Sequence, residues 1–528
     1  MRLASLVLSA VGTLAALPLA AGTYIRQPHD LEPFRLFRRT GGDSNRPEVT
    51  VSPDKNTGAG AAVFFAQAKS DGSVDILGDA LSAQRTAQIK KFFPVFGFTG
   101  AEDSTVKIPG EEGDPASLLI FTGVGNEMDK NTTRGAAAFG VRAAYGVTTK
   151  VAIMVPKTHD DVIASAADGA VSGTYVWNKY KSNAPPRVDC IIIVSDCDPA
   201  KIVHDVTASL YVNYARDLVN EPANVLNPET FAQLASDIAT PAGIAVEIWD
   251  EKRLAAERLD AILAVGAGSE NKPRLVKLSY TPGGGKRNNW RHVVLVGGGI
   301  TFDSGGLSAK STADMSNQRG DMAGAAAVFK TILAAHELKV NTRITAWLPL
   351  AENMPGGGGM RIGDIVRTYA NKTVEIVDTD NESRLLMVDA IAFAMQEEHD
   401  ILVDISTYSS SGDQNTHAEY NGDNFRCEPD MDCAYSPVGK RDAADADGNS
   451  AADTTNSGTP LAFLYRFPGM SSSWGRYAKR DNYNPPKLVH INLGAMGWNP
   501  GRPYADQPSM GTGAGVKTLL AVAEQYAL

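Results

Sequence analysis

Runs of β-branched and other apolar residues alternate with helix-like stretches along most of the chain, and this alternation limits the fold more than any other feature. The first series of strand-like runs falls at residues 61–66, 118–122, 151–155 and 190–194, with a helix of small residues over 133–145. A second series falls at 246–249, 275–280, 292–296, 343–348, 374–377, 401–405 and 488–493. Strands separated by helices must cross over before they can pair side by side, so the pattern predicts an α/β protein with largely parallel sheets. Two series predict two α/β domains, a smaller N-terminal one over 46–205 and a larger C-terminal one over 206–528. The join is set near residue 206, where a helical stretch through Tyr211 and Leu218 leads into the polar turn Asn220-Glu221-Pro222-Ala223-Asn224.

Two stretches stand apart from this pattern. Residues 3–22 are almost wholly apolar or small, and Arg2 is the single charge before Arg26. With Ala20-Ala21-Gly22 as a cleavage site, residues 1–45 read as a targeting segment and linker. A mitochondrial and a secretory destination both fit, because no acidic residue precedes Asp30 while Arg26, Arg35, Arg38 and Arg39 follow the apolar run. Membrane attachment would require the segment to stay uncleaved. Residues 413–458, rich in Asp, Asn, Gly and Ala, read as a polar surface insertion. The formal net charge of −10 argues against a broad nucleic-acid surface, which needs a concentrated basic face. Four cysteines in 528 residues cannot staple a fold, although Cys427 and Cys433 could pair if oxidised.

Carboxylates rather than histidines carry the chemistry. The eight histidines never form His-Glu-x-x-His, but hard or borderline divalent ions accept oxygen donors. The apolar run 292–296 leads through Gly297-Gly298-Gly299 to Asp303-Ser304-Gly305-Gly306, so Asp303 is expected just beyond a strand's carboxyl end, where open α/β sheets bind ligands. Asp321 is expected to open a helix over 322–338, a position that by itself also fits ordinary N-terminal helix stabilisation. Asp378-Thr379-Asp380-Asn381-Glu382 follows the run 374–377, and an extended chain would turn Asp378, Asp380 and Glu382 to one side. Carboxylates that close raise one another's pKa, so positive charge is required, from Lys310, from Arg384 or from metal ions. Asp303, Asp321, Asp380 and Glu382 could hold two ions ~3.5–4 Å apart, an arrangement that serves hydrolysis.

These stretches resemble the leucine aminopeptidase, or cytosol aminopeptidase, family of M17 metallopeptidases. The resemblance rests on Ala215 through Asn224, the loop from Ile300 to Ser308, Asp321-Met322-Ala323-Gly324-Ala325-Ala326, Glu352-Asn353-Met354-Pro355 and Thr379 through Leu385. It implies a small N-terminal α/β domain, a catalytic C-terminal domain, a homo-hexamer and a usually cytoplasmic protein. It also implies removal of N-terminal residues such as leucine from peptides by two divalent metal ions (manganese, zinc or magnesium). By position, Asp303 and Glu382 would bridge the ions and Asp321 and Asp380 would each serve one. Lys310 would polarise the scissile carbonyl, and Arg384 would hold the bicarbonate or water acting as base.

The active site nevertheless looks degenerate. The family pattern Val-Gly-Lys-Gly carries a metal-ligating lysine where this chain has Gly298, so one ion must accept water or bind more weakly and only one could be retained; restoring a lysine there is expected to raise the rate if the site is otherwise intact. The family's Asn-Thr-Asp-Ala-Glu-Gly-Arg becomes Asp378 through Arg384. The substrate-pocket run Thr-Leu-Thr-Gly-Ala becomes Thr407-Tyr408-Ser409-Ser410-Ser411, expected to narrow and polarise the pocket. Two readings therefore stand: an active or altered aminopeptidase, and an inactive aminopeptidase-like protein with a structural or interaction role. A trypsin-like serine nucleophile at Ser304 fails on architecture, and Gly511-Thr512-Gly513-Ala514-Gly515 lacks the ending of a phosphate loop.

Overall fold

The computed structural model describes residues 46–285, 290–408, 432–435 and 487–527. The targeting segment 1–45, residues 409–411 and the side chains of Cys427 and Cys433 lie outside the described residues, as does the insertion 413–458 apart from 432–435, which pairs at the edge of the second sheet instead of standing clear of it as an insertion. The chain forms two α/β domains, each built on a mixed but mostly parallel sheet.

The first sheet comprises β1 (Glu48–Ser52), β2 (Ala61–Ala68), β3 (Val74–Ile76), β4 (Thr105–Pro109), β5 (Leu118–Gly123), β6 (Lys150–Met154) and β7 (Cys190–Val194), in the order β1-β7-β6-β2-β5-β4 with β3 added to β2. Its β1, β7, β6, β2 and β5 run parallel. From Ala61 to Ala66, β2 is buried without interruption, as a central strand covered on both faces must be. The crossovers α1 (Lys130–Ala143) and α2 (Asp160–Gly173) are rich in Ala and Gly, which lets them pack closely against each other. The antiparallel edge strand β4 escaped the sequence pattern because its buried Val106 and Ile108 alternate with exposed polar neighbours.

The second sheet comprises β8 (Ala245–Trp249), β9 (Arg274–Tyr280), β10 (His292–Gly297), β11 (Gly299–Asp303), β12 (Arg343–Asn353), β15 (Ile401–Ser406), β16 (Asp432–Tyr435) and β17 (Lys487–Asn492). Its order is β16-β17-β15-β10-β12-β9-β8, with β11 beside the distal half of β12. The run expected at 374–377 does not join it. That segment forms a two-stranded ribbon of β13 (Ile365–Arg367) and β14 (Thr373–Glu375), because Val374 and Ile376 are buried while Thr373 and Glu375 face outward. One face of the sheet packs on α4 (Pro228–Ala239), α5 (Ala323–Glu337) and the C-terminal helix α7 (Val516–Gln525), the other on α6 (Glu382–Ala394). No helix among the described residues is long and apolar enough to cross a membrane.

Helix α3 (Val203–Asn220) links the two halves, packing against both α2 and α5. Its fully buried Arg216 donates through Nε to the Thr512 carbonyl at 2.7 Å and through Nη1 to Asn213 Oδ1 at 2.8 Å and the Ser172 carbonyl at 3.4 Å. Nη2 donates to the Asp506 carbonyl at 3.2 Å. One guanidinium thus ties α2 to the C-terminal segment, and Lys517 on α7 adds an ion pair to Asp168 at 2.7 Å. The glycine run 511–515 serves this junction: a Cβ at Gly513 would lie 2.9 Å from Val212 Cγ1. Replacing Arg216 with leucine strands these buried acceptors and is expected to cost about 3 kcal/mol or more, seen as a clear drop in melting temperature; an unchanged melting temperature would refute this account of the junction.

Candidate active site

The carboxyl ends of the parallel strands in the second sheet gather most of the residues singled out above. Asp303 is the last residue of β11 rather than part of a loop beyond a strand; pairing of β11 with β12 sets it beside Asn353. After it the chain turns through Gly305 and Gly306, both with positive φ, a backbone that residues with a Cβ rarely adopt. The turn returns Lys310 over the strand ends, where its Nζ lies 2.9 Å from Asp303 Oδ2 and 2.8 Å from Asp380 Oδ1.

Asp380 and Glu382 do not reach this place on an extended chain. Helix α6 begins at Glu382, so the segment folds directly from the acidic turn into the helix, and the amino-terminal end of α6 favours the buried carboxylate. Asp378 faces its own turn, where its Oδ1 accepts from Asp380 N at 3.0 Å and its Oδ2 from Asn381 Nδ2 at 2.8 Å. Asn381 Oδ1 in turn accepts from Arg384 Nη2 at 2.9 Å. The extra charge at Asp378 therefore shapes the loop.

Asp303, Asp380 and Glu382 each present an oxygen within 4.8 Å of the others. Asp321, just before α5, stays outside that trio: its Oδ1 accepts a hydrogen bond from Thr407 Oγ1. It is still near enough to act on the others. Burial, then the charges of Asp303 and Asp321, push Glu382 well above the usual carboxylate range. Burial, then Asp303, does the same to Asp321. Burial raises Asp380 to about 6 against the pull of Lys310. Burial would lower the Lys310 ammonium, but Asp303 and Asp380 outweigh it and its pKa rises. Carboxylates held this close to neutrality by burial and mutual repulsion gain from a multivalent cation, and an all-oxygen donor set suits a hard or borderline divalent ion.

Two residues that the sequence reading left without a role hold the trio in place. Asn353 Nδ2 reaches Asp303 Oδ1 at 2.8 Å, the Thr379 carbonyl at 3.0 Å and Glu382 Oε2 at 3.3 Å, bridging strand end and helix start. Thr379 Oγ1 donates to the Gly305 carbonyl at 2.6 Å and accepts from Ser308 N at 2.8 Å, pinning the glycine turn to the acidic turn. Their signal was present, since both lie inside motifs quoted for the resemblance. Ser304 is no nucleophile, because its hydroxyl donates to the Asn353 carbonyl at 2.8 Å.

Two expectations change. Tyr408 was expected to polarise the substrate pocket, but it is buried and its hydroxyl donates to Asp404 Oδ1 at 2.8 Å, so its polarity is spent inside the domain. Restoring a lysine at 298, expected to raise the rate of an otherwise intact site, meets a steric obstacle. A Cβ there would stand 2.7 Å from Ser406 Cβ and collide with Ser406 Oγ, because Gly298 N donates to the Ile405 carbonyl at 2.9 Å and draws the two backbones together.

The family model described as the cytosol aminopeptidase family, catalytic domain, matches residues 213–422, and that of the family's N-terminal domain matches 63–184. A Micrococcus luteus protein named "Probable cytosol aminopeptidase" is 33% identical, covering 91% of this chain and 98% of its own. One of the same name from Leifsonia xyli subsp. xyli is also 33% identical, covering 90% and 97%. Among solved structures, the bottromycin maturation enzyme BotP in complex with Mn aligns with a TM-score of 0.70 at 27% identity, covering 89% of this chain and 100% of its own. A tomato leucine aminopeptidase mutant aligns with a TM-score of 0.70 at 19% identity, a likeness of fold.

A divalent ion must compete with protons for these carboxylates. Manganese affinity, measured by calorimetry, is therefore expected to rise with pH through the region near 6 where Asp380 ionises and to keep rising above it, with protons released on binding; a flat pH profile would contradict the raised carboxylates. Gly298→Lys is expected to overpack the site by about 1–3 kcal/mol and lower the melting temperature, with Ser406→Gly in the same chain recovering most of the loss.

Proposed function

The chain belongs to the cytosol aminopeptidase family, and from that membership we propose a metal-dependent aminopeptidase that removes N-terminal residues such as leucine from peptides. The observation that carries this reading is the convergence of Asp303, Asp380 and Glu382 under Lys310 at the carboxyl edge of the second sheet. Manganese, zinc or magnesium fits those oxygen donors, and the manganese complex of BotP supports the first. Asp303, Asp380 and Glu382 would hold one ion, with Asp321 beside them available to a second once it yields its bond to Thr407.

When bound, such an ion polarises a carbonyl and makes water a stronger acid. The chain's own groups supply orientation and charge around it. Lys310, kept protonated by its two carboxylates, can donate from Nζ to a scissile carbonyl oxygen as that oxygen gains charge. Asn353 fixes the angle between Asp303 and Glu382, so the donor set is ordered before substrate arrives. Arg384, anchored by Asn381 and largely buried, is the proposed holder of the water or bicarbonate acting as base. A homo-hexamer belongs to the same proposal.

A second reading, an inactive relative with a structural role, is favoured by one observation: Gly298 offers no side-chain ligand atom and Ser406 fills its side-chain space. Hydrolysis of a leucyl chromogenic amide by the manganese-loaded protein separates the two. Turnover is expected, and Glu382→Gln should lower kcat by at least ~100-fold through loss of a charged donor. Full manganese occupancy with no turnover on leucyl, methionyl or alanyl amides would favour the inactive reading.

A further inference from the structure

Along the second sheet, side chains alternate between two faces. Val293, Leu295, Ile401, Val403 and Ile405 face α5, whereas Val294, Val296 and Leu402 face α6. Asp404 and Ser406 therefore fall on the α6 side, as does Gly298 beyond Val296. On β17 the same holds for His490, which pairs in register with Asp404 and binds its Oδ1 through Nδ1 at 2.7 Å. All three of these side chains are fully buried, and each keeps an atom without a hydrogen-bond partner among the described residues: Ser406 Oγ, Asp404 Oδ2 and His490 Nε2. A buried hydroxyl, carboxylate oxygen and imidazole nitrogen left unsatisfied along one face mark a place where water or an ion belongs.

The upper end of this polar seam adjoins, on two sides, the elements that carry the site's carboxylates. Thr407, the residue after Ser406, grips Asp321. Met387 of α6, the helix that begins with Glu382, has its sulfur 3.5 Å from the Cβ position at Gly298. Ser406 thus stands between the elements that present Asp321 and Glu382, with its hydroxyl in the space a side chain at 298 would take.

We propose that Ser406 supplies, directly or through one bound water, a neutral oxygen donor to the divalent cation site formed by Asp303, Asp380 and Glu382, on the wall that Gly298 leaves bare. The inference rests on the metal-site reading above and adds to it: Gly298 and Ser406 form one feature, in which a hydroxyl replaces a longer side chain at a wall too close for any Cβ. An oxygen donor there also fits manganese or magnesium better than soft metals.

Calorimetric titration of the metal-free full chain with manganese chloride, together with the melting-temperature rise that manganese causes, tests this without reference to turnover. Ser406→Ala is expected to bind manganese about tenfold or more weakly, as loss of a supporting ligand group does, and to lose much of the manganese-induced melting shift. Ser406→Cys, which keeps the side-chain connectivity and exchanges oxygen for the larger, softer sulfur, is expected to weaken manganese and strengthen cadmium. Wild-type manganese affinity in both variants would overturn the assignment to Ser406. If Glu382→Gln abolishes binding in that case, the carboxylate site survives and only the Ser406 inference falls. Should the wild type itself bind no manganese, both readings fall together.

Discussion

Repulsion among buried carboxylates governs the architecture of this site. Asp303, Asp380 and Glu382 come from three separate stretches, and bringing them together costs free energy that neighbouring groups must offset. Lys310 pairs with two of them, Asn353 donates to two, and the Gly305 amide donates to Asp303 at 2.8 Å. The remaining deficit is what a divalent cation would fill. The glycine turn exists to bring Lys310 back over the strand ends; the tight acidic turn, braced internally by Asp378, delivers Asp380 and starts the helix that carries Glu382.

Around that corner, polar residues divide into those aimed at the site and those that hold the frame. Arg216 belongs to the frame: its guanidinium donates to Asn213 and to backbone carbonyls of α2 and of the C-terminal segment. Glu352 sits one residue from Asn353 yet faces the other way, accepting from Asn271 at 3.0 Å and from Ser269. Asp389 on α6 is buried and raised to about 7 by that burial, while accepting from Ala261 N at 2.8 Å and Tyr369 N at 2.7 Å, so it fastens the start of a short helix and the turn of the ribbon instead of taking part in chemistry. Acidic character alone does not mark a site residue; convergence with other acidic groups does.

The sequence was legible wherever a local pattern sufficed. Long buried runs such as residues 191–194 and 293–296 read as parallel strands because both faces are covered, and the acidic and glycine-rich motifs read as a metal-type site. It was less legible where half-burial or pairing decided. The 374–377 run resembles a central strand but its segment forms a half-buried ribbon, and Asp303 reads as lying beyond a strand because β11 is defined by its pairing with β12 and not by a run of its own. Asn353 and Thr379 went without roles, since an amide or hydroxyl reveals its function only through what lies opposite.

The amino-acid order alone determined the two α/β halves, the family resemblance and the set of carboxylates available for chemistry, because those depend on periodicity and residue type. Tertiary structure alone decided which carboxylates meet, that Asp321 is held by Thr407, and that Ser406 closes the space beside Gly298. Those outcomes turn on how closely segments far apart in the chain approach one another, and no local pattern encodes that separation.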